Sequence, residues 1–242
     1  MADNAQQAGP GLVSLAEIEE AARLLASVAV RTPLVPVPRL HRGLLIKPES
    51  LQPTGSFKLR GAYTAISLSG RAAREHGVIA HSSGNHGHAV AYAAALLGVP
   101  AVVVVPSTAP KVKTDAIEYY GARLVTVAPT LAARVAATEE LAARHGYAVI
   151  PPFDDRRVIA GQGTIGLEIA ADGPRVDLVL VPVSGGGLIS GIAAAVQPRH
   201  RDERRADRHR GEQACRLLDL GQADQARPGL LGIVCHSVIH AA

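Results

Sequence analysis

KPESLQPTGSFKLRGA, residues 47–62, joins three local patterns within one short stretch. Leu44–Pro48 predicts a strand, Pro-Thr-Gly-Ser predicts a turn, and the segment 58–69 predicts a helix. Lys58 therefore falls in the first turn of a helix, where the positive end of the helix dipole disfavours an ammonium group. With partial burial, the neutral amine could form a Schiff base with an aldehyde. The alternative is an ordinary lysine in solvent, the usual state of this residue type.

Strands and helices alternate outward from this stretch to about residue 196. The segment 101–105, with the letters AVVVV, is typical of a strand that is buried on both faces. The alternation predicts βαβ units, and so an α/β fold with helices on both faces of parallel sheets. Upstream, Ser14 and Glu17 form a capping-box pattern that predicts a helix over 15–28. Residues 1–13 are predicted to form a flexible tail.

Two more loops follow predicted strands and open predicted helices. They are His81-Ser-Ser-Gly-Asn-His-Gly-His88 and Val183-Ser-Gly-Gly-Gly-Leu-Ile-Ser-Gly191. Backbone N–H groups at a helix start suit a carboxylate or a phosphate. The alternatives are a polar capped loop for the first and a flexible turn for the second. Three histidines in eight residues suggest a metal site, but no paired ligand set accompanies them, so we predict no metal.

Another glycine-containing segment, Gly161-Gln-Gly-Thr-Ile-Gly166, fits the dinucleotide fingerprint G-x-G-x-x-G. That fingerprint also needs a preceding strand and an acidic residue about 20 positions later. The chain has only Val158-Ile-Ala before the glycines and a glycine at position 186. We therefore interpret the pattern as close helix packing and not as an NAD site.

Composition narrows the class of protein further. The net charge of +4 could suggest nucleic-acid binding, but aromatic residues make up only 3% of the chain. The segment 199–242 alone holds 8 Arg against 6 acidic residues, and the rest is nearly balanced. Two cysteines suit a reducing cytoplasm. No apolar run approaches the roughly 20 residues needed to span a bilayer, so we expect neither a nucleic-acid nor a membrane partner.

The three loops together resemble the fold-type II pyridoxal-phosphate enzymes, in particular the threonine dehydratase and serine racemase group. The resemblance runs from about Ser14 to Val196. It implies a two-lobed parallel-sheet fold, like that of the tryptophan synthase β subunit, with pyridoxal 5'-phosphate in the cleft. Residues 14–80 and 151–196 would form a large cofactor-binding lobe, and 81–150 a small lobe.

The resemblance also assigns roles to residues. Lys58 would bind the cofactor aldehyde and move the α-proton, and Ser83 matches the serine that racemases use as acid and base on the opposite face. The residues that would contact the cofactor are Lys58, Phe57, Asn85, Gly185, Gly186, Gly187 and Leu188. The residues that would contact the substrate are Ser82, Asn85, His86 and Arg134.

The implied reaction is β-elimination of water from L-threonine or L-serine, which gives a 2-oxo acid and ammonia. A serine or threonine racemase, or a related amino-acid dehydratase, is the alternative, because these reactions share the first proton transfer. The likeness fades after Gln197, so we expect the C-terminal third to be missing or altered and 197–242 to be an atypical Arg-rich tail. An inactive remnant, or a regulatory partner of an intact paralogue, is a further alternative. The resemblance also suggests a homo-oligomer.

Overall fold

The computed structural model describes residues 13–82, 84–173, 176, 178–206, 216–219 and 232–236. Within these residues, helices and strands alternate along the chain. The helices are α1 (Leu15–Leu25), α2 (Lys58–Ser67), α3 (Gly70–His76), α4 (Asn85–Leu97), α5 (Lys111–Tyr119), α6 (Leu131–His145), α7 (Arg156–Asp172) and α8 (Gly187–Ala206). The strands are β1 (Val35–Pro36), β2 (Leu44–Pro48), β3 (Val78–His81), β4 (Ala101–Pro106), β5 (Arg123–Val127), β6 (Ala148–Val149), β7 (Leu178–Val181), β8 (Arg216–Asp219) and β9 (Gly232–His236).

The strands form two sheets. The larger sheet has the order β1-β2-β9-β7-β8, and the smaller sheet has the order β5-β4-β3-β6. All neighbours pair in parallel except β1 and β2, which are antiparallel. The predicted α/β fold with parallel sheets is therefore confirmed. The first strand of the smaller sheet begins at Val78, three residues before the expected start of the small lobe.

The smaller sheet explains the valine run in β4. Val103 and Val105 pack with the small residues of α4, whereas Val102 and Val104 pack with α6 on the other face. All four side chains are buried. A strand covered on both faces needs apolar side chains at successive positions, which is why β4 shows no polar alternation.

Helix α1 begins where the capping-box pattern placed it. Ser14 Oγ accepts a hydrogen bond from the Glu17 backbone N–H, and the Ser14 backbone N–H donates to the Glu17 carboxylate. Ile18, Ala21 and Leu25 form its buried face. This face packs on α7, so the helix is held by tertiary contacts as well as by its cap.

The glycines of α7 bring three helices together. A Cβ at Gly161 would lie 2.5 Å from the Arg60 carbonyl oxygen in α2, and one at Gly163 would lie 2.9 Å from the Gly191 carbonyl oxygen in α8. Such distances are far shorter than normal carbon–oxygen contacts, so larger residues would force the helices apart. The interpretation of this G-x-G-x-x-G pattern as close helix packing is confirmed.

The segment after residue 196 differs from the prediction. We expected the last helix to end at Val196, but α8 continues to Ala206, and β9 is inserted between β2 and β7 in the larger sheet. The Arg, Glu and Ala residues of this run favour a helix that has already started, whereas Pro198 within it opposes one, so helix propensity alone does not account for the extension. The sequence indicates a strand near residues 232–238, and β9 lies there at Gly232–His236. The remaining residues of the predicted tail, including Cys215, lie outside the described part of the chain.

Candidate active site

One cavity of about 390 Å³ gathers the three predicted loops. It lies at the junctions after β2, β3 and β7, which belong to two different sheets. Ligands of parallel α/β folds bind at the carboxyl ends of strands, and this cavity has that position. The lining residues are Phe57, Lys58, Ser82, Gly84, Asn85, His86, Lys113, Pro152, Phe153, Pro182, Val183, Ser184, Gly185, Gly186, Gly187 and Leu188.

Lys58 is the first residue of α2 and points its amine into the cavity. Its Nζ donates a 2.6 Å hydrogen bond to the Pro152 carbonyl oxygen and lies 5.2 Å from the centre of the Phe57 ring. Burial lowers the pKa of Lys58 to about 8, because the charged form loses hydration. A large fraction of this amine is therefore neutral and nucleophilic near pH 8.

The loop between β3 and α4 supplies polar groups to the same cavity. Asn85 and His86 are the first two residues of α4, and Ser82 Oγ accepts a 3.1 Å hydrogen bond from the Gly84 backbone N–H. The first N–H groups of a helix have no acceptor within the helix, so this end of α4 suits an anion. Ser83 lies outside the described residues.

His86 is held in one orientation by the backbone. Its ring Nε2 donates to the Ile150 carbonyl oxygen over 2.9 Å, since a carbonyl can only accept. Burial lowers the pKa of His86 to about 4, and the nearby charges of Lys58 and His81 act in the same direction. The ring is therefore neutral at physiological pH.

The loop from Ser184 to Gly187 has three positions, Gly185 to Gly187, where a side chain would clash or be strained. A Cβ at Gly185 would lie 2.1 Å from Cδ1 of Phe153, and one at Gly187 would lie 2.8 Å from the Phe153 carbonyl oxygen. Gly186 has φ of +86°, which L side chains rarely adopt. Gly187 then begins α8, so the loop presents backbone to the cavity at a helix N-terminus.

Four cavity residues were not predicted from the sequence, and one predicted residue lies elsewhere. The four are Lys113, Pro152, Phe153 and Pro182, and the only available signal was that Lys113 is one of just four lysines in the chain. Arg134 lies in α6 and is not among the lining residues; its Nε donates to the Thr130 carbonyl oxygen. Burial, and then the charge of Arg134, lower the pKa of His81. Arg134 as a substrate-binding residue stays a prediction.

Four charged side chains form a buried set of ion pairs next to Lys58: Lys47, Glu49, Arg60 and Glu168. Arg60, two residues after Lys58, forms ion pairs with Glu49 at 2.8 Å and with Glu168 at 2.6 Å. Glu168 also contacts Lys47 Nζ, at 2.5 Å. Arg60 and Glu49 are almost completely buried. These contacts tie α2 to β2 and α7, which fixes the start of α2 and the direction of Lys58.

The chain belongs to the family of pyridoxal-phosphate dependent enzymes, whose pattern matches residues 25–206. A catabolic L-threonine dehydratase of Staphylococcus aureus is 44% identical over 191 residues, which cover 77% of this chain and 55% of that protein. The chain thus spans about half the length of the curated relatives it matches. The resemblance to this family, stated above from the three loops, is confirmed.

Solved structures of the same family share the fold. Maize serine racemase is 33% identical with a TM-score of 0.78, over 86% of this chain and 61% of that one. Threonine deaminase isoform 2 of Solanum lycopersicum, in its processed form, is 35% identical with a TM-score of 0.71, over 84% of this chain and 62% of that one.

Two further observations concern other classes of protein. No helix in the described part of the chain is both long and apolar enough to cross a membrane. Among those same residues, no group of three His, Cys, Asp or Glu side chains is placed to hold a metal ion.

Proposed function

We propose that this chain catalyses the elimination of water from L-threonine or L-serine with pyridoxal phosphate as cofactor. The observation that supports this most is a buried lysine amine with a pKa of about 8 in one cavity with two helix N-termini. An amine, a phosphate site and a carboxylate site are the three features that this cofactor and an amino acid require. Two of the relatives described above, a threonine dehydratase and a threonine deaminase, agree with the proposal.

The residues present fit the cofactor. The glycine loop has no room for side chains beside Phe153, so a phosphate could approach the backbone of Gly185, Gly186, Gly187 and Leu188. Lys58 would hold the aldehyde carbon, Phe57 would pack near the ring, and Asn85 would hydrogen-bond the ring hydroxyl. When bound, pyridoxal phosphate supplies an electron sink for the pair left when a Cα–H bond breaks.

The chain's own residues then bind the substrate and move its proton. Ser82, Asn85 and His86 would receive the substrate carboxylate at the start of α4. Lys58 would remove the Cα proton, and loss of the β-hydroxyl as water would leave an enamine. The enamine hydrolyses to a 2-oxo acid and ammonia. The atoms and electrons of the substrate are then all accounted for in the products, and no oxidant is needed.

A racemase is the second candidate, because maize serine racemase superposes with a TM-score of 0.78. In that case a second acid would return a proton to the opposite face of Cα. Ser83 is the residue proposed for this role.

We also propose that the protein is a cytoplasmic homo-oligomer, on the basis of its family and its two cysteines. Analytical ultracentrifugation would give the oligomeric state.

The test of the lysine assignment compares Lys58→Ala with Lys111→Ala. Lys111 is an exposed lysine that is paired with Asp115 at 2.7 Å and does not line the cavity. Each protein is mixed with pyridoxal phosphate, reduced with borohydride and digested, and the labelled peptide is identified by mass spectrometry. The label should be on Lys58 in the unaltered protein and in Lys111→Ala, and it should be absent from Lys58→Ala. Equal labelling of all three proteins would refute the assignment.

The reaction itself is decided by products. Formation of 2-oxobutanoate and ammonia from L-threonine supports the dehydratase. Appearance of D-serine from L-serine, measured by chiral chromatography, supports the racemase. Cofactor bound on Lys58 without either product would support the alternative of an inactive remnant.

A further inference from the structure

The cavity has an unbalanced set of charges. Its lining residues in the described part of the chain include two lysines, Lys58 and Lys113, and no Asp or Glu. The amine of Lys58 is already engaged with the Pro152 carbonyl oxygen. Lys113 is therefore the cation that the proposed chemistry leaves unassigned.

The residues proposed for the substrate carboxylate are electrically neutral. Ser82 and Asn85 have no charge, and His86 has a pKa of about 4, mainly because it is buried. A carboxylate that leaves water for this cavity would meet hydrogen-bond donors but no full positive charge from these three. Charge-assisted hydrogen bonds are about twice as strong as neutral ones, so a nearby ammonium would matter.

The topology places Lys113 with the carboxylate loop and not with the glycine loop. Strand β4, which leads into α5, pairs in parallel with β3, which leads into α4. Lys113 is the third residue of α5, so it and Ser82 follow the carboxyl ends of neighbouring strands. The glycine loop follows β7, a strand of the other sheet.

Lys113 also differs from its neighbour Lys111. Lys111 forms an ion pair with Asp115, and its side chain is 86% exposed. Lys113 is only partly exposed, lines the cavity, and has no ion-pair partner among the described residues. The two lysines lie two residues apart on one helix, so they differ in surroundings but not in local chain structure.

We propose that Lys113 is a substrate-binding residue that pairs with the α-carboxylate of the amino acid. The proposal rests on the function proposed above and adds a residue to its site. A ligand with a carboxylate would then bind more tightly than the same ligand with an amide in its place, and removal of the ammonium would abolish that difference.

The test uses the full chain loaded with pyridoxal phosphate and two probes, L-2-aminobutyrate and its amide. These probes lack the β-hydroxyl, so they bind without elimination. Their Kd values are measured from changes in cofactor absorbance for the unaltered protein, Lys113→Met, Lys113→Arg and Lys111→Met. Lys113→Met should weaken binding of the carboxylate about tenfold to hundredfold and leave the amide nearly unchanged. Lys113→Arg should restore part of the loss, and Lys111→Met should match the unaltered protein.

Two outcomes would overturn the proposal. The first is an unchanged ratio of carboxylate to amide affinity in Lys113→Met. The second is a loss of pyridoxal phosphate affinity in that variant with no change in the ratio, which would assign Lys113 to the phosphate. Lys113 is not part of the buried core, so a thermal melt should confirm that the variant folds.

Turnover is scored separately from binding. If the unaltered protein binds L-2-aminobutyrate but does not convert L-threonine, the proposed function fails and the binding ratio still decides the role of Lys113. If it binds neither probe, the assignment of Lys113 fails.

Discussion

Glu49→Gln is the substitution that best tests how Lys58 is held in place. The Glu49 carboxylate is fully buried and accepts hydrogen bonds from Arg60 Nε at 2.8 Å, Arg60 Nη2 at 2.9 Å and Thr32 Oγ1 at 2.8 Å. With Lys47 and Glu168, these groups form a set of two cations and two anions. Glutamine keeps the shape of the Glu49 side chain but removes its negative charge. Its amide N–H₂ group would also face the Arg60 and Thr32 groups that donate to Glu49.

The magnitude follows from burial. Arg60 keeps its pair with Glu168, but the set is left with two cations and one anion, and an uncompensated buried charge costs up to about 3–5 kcal/mol. The matched control is Glu140→Gln, whose partner is Arg144 in a pair with side chains 64% and 62% exposed. That exposed pair should contribute at most about 0.5 kcal/mol.

Urea unfolding, followed by circular dichroism, measures both variants. Glu49→Gln should lower the free energy of unfolding by several times more than Glu140→Gln, and added salt should change this loss little because the group is buried. Since Arg60 is two residues from Lys58, the same variant should also bind pyridoxal phosphate more weakly. A loss below about 1 kcal/mol for Glu49→Gln would show that the charged set does not hold α2, and the reasoning would be wrong.

Three further predictions concern the cavity. Uptake of pyridoxal phosphate by cofactor-free protein should speed up with rising pH, with a midpoint near pH 8, because the neutral amine of Lys58 reacts. Stopped-flow absorbance would show this, and a midpoint near 10.5 would contradict it. His86 has a pKa of about 4 in the folded protein and 6.5 as a free side chain. Between these two pH values its imidazole is protonated in the unfolded chain but not in the folded one, so lowering the pH through this range destabilises the fold. His86→Gln should remove about 2 kcal/mol of the stability difference between pH 7 and pH 5, measured by urea unfolding at each pH. Gly185→Ala should weaken cofactor affinity about tenfold, because its Cβ would lie 2.1 Å from the Phe153 ring, and adding Phe153→Ala should recover part of that loss in an absorbance titration.

Local sequence was sufficient for most of the helices and strands. The valine run of β4 and the capping box of Ser14 and Glu17 are patterns between near neighbours, and each predicts its element from its own residues. The same holds for the helix that begins at Lys58, because the turn before it and the helix after it are adjacent in the chain. Ligands of parallel α/β folds bind at the carboxyl ends of strands, so the sequence could place each loop at such an end, but the meeting of loops from two different sheets depends on tertiary structure.

Contacts between distant residues were not predictable in this way. Lys113 enters the cavity because β4 pairs with β3, and Phe153 closes the glycine loop from another part of the chain. The lowered pKa of Lys58 depends on how much water the surrounding residues exclude. Strand β9 is a short segment whose place between β2 and β7 depends on both neighbours.

The sequence by itself thus predicted the class of fold, Lys58 as the candidate reactive lysine and the loops suited to anions, because these predictions depend on chain-local geometry. The tertiary structure decided which charges face the cavity, since burial and pairing are properties of residues brought together from separate elements. Lys47 illustrates the difference: it stands in the same motif as Lys58, yet its Nζ is buried against Glu168 and the Thr32 carbonyl oxygen. The packing of β2 against α7 gives Lys47 a buried ionic contact, whereas Lys58 lines the cavity.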